Sequence, residues 1–292
     1  MLEVAMQVIL VLSLVANIIA VWVILRQDVR KIDLGLALLM AGCDLLVVVY
    51  KLAEMVYIAV TGDMRSKEDI EFGQWHGVLT TLTLHVSAMC VGYVALLRFW
   101  AIVLRRRVSP AKWWIMFVAP QLVMLTWLIA VAVQRNFASL QNRTLFFPNV
   151  DAKSWVVTAC RTHLVITHFL AALAVNVSYP FIARTYKANL RLLQSGDTLH
   201  VQTRIVYTKI VGLVILYDMV ILPVLIAMII ESFTGKLKSL FLEAFATTTL
   251  LGMTLVNPLV LLTLHHETQC EFKDLMKRLK TELISKGSQI FH

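Results

Sequence analysis

The chain has 292 residues, 59% of them hydrophobic and 15% charged, with a formal net charge of +9. A mean hydropathy of +0.76 and an apolar share well above the roughly 45–50% of a soluble domain turn the excess toward lipid and leave no length for a separate soluble domain. The basic excess points to cytoplasmic loops of a membrane protein rather than to nucleic acid, and Cys43, Cys90, Cys160 and Cys270 have no CxxC spacing, so neither a zinc site nor a disulfide framework is expected.

A hydrocarbon core of about 30 Å takes about 20 mainly apolar helical residues per crossing. Seven stretches meet that requirement, at approximately 4–25, 33–60, 75–104, 113–134, 155–186, 205–231 and 239–264. The first is too long for a signal-peptide core and lacks a small-residue cleavage site, so it reads as a retained span. Only Met1 to Glu3 precede the apolar run, and no N-terminal ligand-binding domain is expected. No internal repeat supports an inverted-repeat transporter. The expected architecture is therefore a single all-α domain over 1–292, a seven-transmembrane helix bundle.

Beyond the seventh span, Phe272, Leu275, Met276, Leu279 and Leu283 recur at spacings of three and four between Lys273, Lys277, Arg278 and Lys280. That pattern predicts a short amphipathic helix over approximately 270–284, lying on the membrane surface, with Cys270 before it a candidate for palmitoylation.

Orientation follows from the loop Lys and Arg residues, which fall seventeen on one side and seven on the other. Because cytoplasmic loops carry the excess, the N-terminus is expected outside, in the plasma membrane, with the C-terminus in the cytoplasm. The sequon Asn142-Arg143-Thr144 lies in a loop this topology places outside, which makes Asn142 a candidate glycosylation site. A second sequon, Asn176-Val177-Ser178, falls within the fifth span and is set aside.

A charge near the centre of a membrane helix costs roughly 2.5–3.5 kcal/mol, so the polar residues kept within the spans carry the information. Asn17, Asp44, Ser87 and Asn257, from the first, second, third and seventh spans, lie at comparable depth and are expected to converge. Oxygens of this kind at Asp44 and Ser87 also suit a small hard cation such as Na⁺. Arg98 ends the third span, where a guanidinium reaches water, carbonyl oxygens or an acid. Pro223 and Pro258 remove backbone donors inside the sixth and seventh helices and mark candidate hinges.

The order Asn17, Leu39-Met-Ala-Gly-Cys-Asp44-Leu-Leu, Ser87, Leu97-Arg98-Phe99-Trp-Ala-Ile, Trp127, Pro223 and Asn257-Pro258 resembles the rhodopsin-like G-protein-coupled receptors. The intervals agree as well, with 27 residues from Asn17 to Asp44, 54 from Asp44 to Arg98 and 35 from Pro223 to Pro258. The resemblance implies a receptor, not an enzyme, that senses a small extracellular or lipid-delivered ligand and activates a heterotrimeric G protein. It makes Asn17, Asp44, Ser87 and Asn257 a switch, and it places Arg98, Arg105, Arg106, Arg107, Tyr179 and Arg204 at the G-protein face. The basic loops are also candidate contacts with anionic lipid headgroups.

The pattern departs from the family at several points. Leu97 replaces the acid that usually precedes the arginine, and Thr203 and Arg204 stand where the sixth span usually carries one, so the restraining ion pairs are missing and basal activity is expected. The tryptophan usual two residues before Pro223 is Ile221, and the tyrosine usual after Asn257-Pro258 is Leu261. Gly73 stands where the third span usually has a cysteine and the loop 134–154 has none, so that loop is expected to be more mobile unless another contact holds it.

By spacing, a ligand pocket between the outer halves would be lined by Lys51, Glu54, Thr80, Thr81, Leu84, Arg161, His163, Thr167, Val224, Leu225, Glu243 and Thr247. Thr80 takes the place of the aspartate found in amine receptors, and the seventh span has no lysine for a retinal Schiff base, so neither a monoamine nor retinal is expected. Lys51 and Glu54, one turn apart, are placed to pair with each other, and Arg161 and Glu243 either to pair across the bundle or to hold charged parts of a ligand. The rival class is a transporter or channel, which would need a continuous polar face that these separate polar layers do not make.

Overall fold

The computed structural model describes residues 2–27, 31–61, 70–106, 109–139, 146–149, 152–193, 197–234, 240–264 and 272–273. It is all-α apart from one hairpin. The helices are α1 (Leu2–Leu25), α2 (Ile32–Thr61), α3 (Ile70–Ile102), α4 (Pro110–Val133), α5 (Trp155–Leu193), α6 (Asp197–Thr234) and α7 (Leu240–Leu264). All seven are long and apolar enough to cross a membrane, and the chain is a multi-pass membrane protein. Helices α5 and α6 run past the expected apolar spans, taking in much of the basic segment between them. Backbone hydrogen bonding continues there because the charged ends no longer have to be apolar, only helical.

Local chemistry sets the helix ends. Pro110 sits in the first turn of α4, where its missing N–H would find no partner anyway. Beyond the end of α3, Arg105 adopts φ 52° and the Arg106 N–H reaches back to the Trp100 carbonyl at 3.2 Å, giving a partner to one of the carbonyls left open at the helix C-terminus.

Consecutive helices pack side by side, α7 closes the ring against α1 and α2, and α3 runs through the middle, touching α2, α4 and α5. In α3, 67% of the most apolar window is buried, against 33% in α4, so α3 is the axis and α4 faces mostly outward. The α3–α5 contact is close at Gly92, where a Cβ would stand 2.9 Å from the Ala171 Cα. Small residues at this crossing let two backbones approach, which is how membrane helices gain packing energy when lipid supplies no hydrophobic drive.

One packed cluster fills the half of the bundle under the hairpin, with Val47, Leu84, Met124, Leu128, Val157, Val224 and Leu251. Another fills the opposite half between α3, α5, α6 and α7, with Val175, Tyr179, Leu213, Tyr217 and Ile221. Large apolar side chains such as Val15, Val49, Ile115, Phe169 and Met219 point outward, as a lipid-facing surface requires. Phe272 and Lys273 are helical, and Phe272 packs against Ala20, Val23 and Leu262. The rest of the amphipathic segment, Cys270 included, lies outside the described residues, as do Arg107 and Asn142.

The loop after α4 forms two short strands, β1 (Phe137–Ser139) and β2 (Phe146–Pro148), paired antiparallel with Phe137 opposite Pro148. In place of the absent disulfide, Gln74 of α3 holds this hairpin. Its amide nitrogen donates to the Phe137 carbonyl at 3.0 Å and its amide oxygen accepts the Phe137 N–H at 2.8 Å. The Phe137 ring is buried over Gly77, so close that a Cβ there would meet it at 2.3 Å. The holding contact left open for this loop therefore exists at these strands, and its residues were not among those singled out from the sequence.

Candidate functional site

The polar layer across the bundle begins with Asp44, buried on α2. A carboxyl group there must find donors inside the protein. Ser87 of α3 donates to Asp44 Oδ1 at 2.7 Å, and Asn257 of α7 donates to Asp44 Oδ2 at 2.9 Å and to Ser87 Oγ at 2.9 Å. Three helices distant in sequence are tied at one triangle.

Asn17, expected in the same cluster, bonds elsewhere. Its amide nitrogen donates to the Thr254 carbonyl at 2.7 Å and to the Ser13 carbonyl at 2.9 Å, while Thr254 Oγ1 donates to Ser13 Oγ at 3.1 Å. The layer therefore consists of two neighbouring groups, one joining α2, α3 and α7 and one joining α1 to α7. Asp44 and Ser87, the pair expected to suit a sodium ion, meet directly at 2.7 Å, and each Asp44 oxygen receives one protein donor.

Asn257 also lines a partly open cavity that extends to Arg98. Its walls are mostly apolar, with Met40, Val91, Val94, Leu213, Val256 and Val260, and its polar groups come from Asp33, Arg98, Tyr179, Tyr217 and Asn257. Arg98 donates to the Tyr179 hydroxyl at 3.4 Å, turning its guanidinium toward α5. Leu97 offers it no acid, so a hydroxyl of the facing helix receives it instead. Arg105, Arg106 and Arg204 are exposed, and Pro223 and Pro258 sit inside continuous helices, as do Pro120 and Pro180.

Of the residues expected to line a ligand pocket, Leu84 and Val224 belong to the hairpin-side cluster and Leu225 to the opposite one, and among the described residues none of them lines this cavity. Thr80 and Thr167 turn their hydroxyls back to the carbonyls of His76 and His163, one turn earlier, at 2.8 and 2.7 Å. Thr81, Leu84, Val224, Leu225 and Thr247 are buried in the packed interior. Lys51 and Glu54 pair at 2.9 Å, as their spacing implies.

Arg161 has a partner that its spacing did not suggest. Arg161 pairs with Glu231 of α6 at 2.8 Å, with both side chains about nine-tenths buried, whereas the Glu243 side chain lies outside the described residues. Glu231 stands at the very edge of the sixth apolar stretch, where hydropathy gave no reason to place it inside the bundle.

Near these pairs, His85 lies between His163 and His168, with ring centroids 6.4 and 5.1 Å apart. Among the described residues no group of His, Cys, Asp and Glu has the arrangement to hold a metal ion.

Comparison with protein families and with curated proteins finds no match for this chain.

Proposed function

We propose that this chain is a rhodopsin-like G-protein-coupled receptor of the plasma membrane, with its N-terminus outside. It responds to a small extracellular or lipid-delivered ligand and signals through a heterotrimeric G protein at the Arg98 end. The observation that carries this reading is the continuity from Asp44 through Asn257 into the cavity that ends at Arg98 and Tyr179. A polar triangle joining α2, α3 and α7 is a two-state element, because shifting α7 breaks both Asn257 hydrogen bonds together. The cavity beside it is where an inserted helix of a transducer would meet Arg98.

The mechanism follows from these contacts. A ligand that favours one arrangement of the hairpin-side half moves α6 and α7 relative to α3. Pro223 and Pro258 supply positions where the helices lack a backbone donor and bend most readily. Since no acid adjoins Arg98 in sequence and Tyr179 already receives it, little holds the output end shut, and the receptor signals without ligand.

G-protein activation in cells tests this, comparing wild type with Arg98→Ala and Asp44→Asn at equal surface levels. The expected outcome is basal signal in wild type, lost in Arg98→Ala and changed in Asp44→Asn. Silence of wild type towards every G-protein class across a broad ligand panel would overturn the reading.

A further inference from the structure

Asp218 is the central residue of the span Arg204–Ser232, and it does not face the bundle interior. It is half-buried on α6 and accepts a hydrogen bond at 2.8 Å from the amide of Asn176, which is exposed on α5 about one turn from the middle of its own span. The two form a polar patch on the outer wall. Around it the same wall is apolar and outward-facing, with Leu173, Val177, Ile215, Met219 and Leu222 all at least 43% exposed. A carboxyl group in that position is expensive in hydrocarbon unless another polar group meets it.

The depth of the patch restricts what can meet it. Lipid headgroups and sterol hydroxyls sit roughly 15 Å from the midplane, half the thickness of the hydrocarbon core. A protein helix can carry a polar group to the centre. A second copy of this chain, related by a two-fold axis along the membrane normal, brings an identical patch to the same depth.

The donor arithmetic fits such a pairing. One Asn176 amide hydrogen goes to Asp218 Oδ1, and the other to the Ala172 carbonyl at 3.0 Å, an acceptor on its own helix. Turned outward, that second hydrogen reaches Asp218 of the other copy. The two-fold then closes a ring of four groups, each amide donating to the carboxyl group of its own chain and of the other.

We propose that the α5–α6 wall is a homodimer interface, pinned at the membrane midplane by Asp218 and Asn176. Leu173, Val177, Ile215, Met219 and Leu222 pack around the pin as its apolar surround. The interface is independent of the receptor reading, since it uses neither the polar layer nor the cavity.

The test is the monomer–dimer equilibrium of the purified full chain in phosphatidylcholine vesicles, read by energy transfer between two labelled pools as protein is diluted into lipid. Asp218→Leu with Asn176→Leu is expected to raise the dimer dissociation constant about tenfold, the weight of two interhelical hydrogen bonds in a membrane. Asp218→Asn, which keeps a donor and an acceptor without charge, is expected to hold the dimer. In parallel, oxidation of Met219→Cys should give a covalent dimer, while Val123→Cys on the outward face of α4 should not. Wild type that stays monomeric overturns the proposal and moves the patch to a foreign helix. So does a double Leu variant that dimerises as wild type does. Because both leucines face lipid, the variant should fold, and an unchanged thermal midpoint confirms that it has.

Discussion

Gln74 grips Phe137 by both main-chain groups, donating to its carbonyl at 3.0 Å and accepting its N–H at 2.8 Å, across 63 residues of sequence. The side chain acts as a missing strand, completing hydrogen bonds that a lone hairpin edge would leave open in a buried place. Gln74→Leu removes both and leaves two buried backbone groups without partners. The expected loss is about 2–3 kcal/mol, seen as a lowered thermal midpoint of the detergent-solubilised protein and faster protease cleavage between Gln134 and Ser154. Unchanged cleavage would show that the clamp does not hold the loop.

Gly77 lies under the Phe137 ring, with room for a hydrogen and not for a methyl group. Gly77→Ala is expected to destabilise by about 1–3 kcal/mol, the usual cost of overpacking. Combining it with Phe137→Leu should cost less than the two losses added together, because both substitutions address one contact. Strict additivity of the midpoint shifts would place the strain elsewhere.

Arg161 and Glu231 hold α5 to α6 through a buried ion pair. Removing one partner strands the other, so Arg161→Leu and Glu231→Leu are each expected to cost about 3–5 kcal/mol. The double leucine variant should be closer to wild type than either single one. If it proves the worst of the three, the pair contributes net stability in its own right.

Tyr179 receives the Arg98 guanidinium at 3.4 Å. Under the receptor reading, Tyr179→Phe removes this acceptor with little loss of volume and is expected to lower basal G-protein activation severalfold at equal surface level. Signal equal to wild type would mean that Arg98 acts without this hydroxyl.

Much of this protein is written in its sequence, and the reason is lipid. A segment in hydrocarbon must satisfy its backbone internally, so each apolar run of sufficient length becomes a helix whatever its neighbours do. The seven helices, with Pro223 and Pro258 inside the sixth and seventh, follow from composition and spacing alone. So does the Lys51–Glu54 pair, which needs only one helical turn to form.

Tertiary structure decided everything that depends on which helix faces which. Asp44 meets Asn257 across 213 residues, yet Asn17 turns to Thr254, because rotation of α1 about its axis is set by packing and not by depth. Arg161 takes Glu231 because α6 presents that residue inward, a fact invisible to hydropathy. The Gln74 clamp carried no motif, since an amide bonding to main chain asks nothing of the partner's side chain. Asp218 is half-buried on the outer wall, and only the assembled helices show that its neighbour is an asparagine of α5.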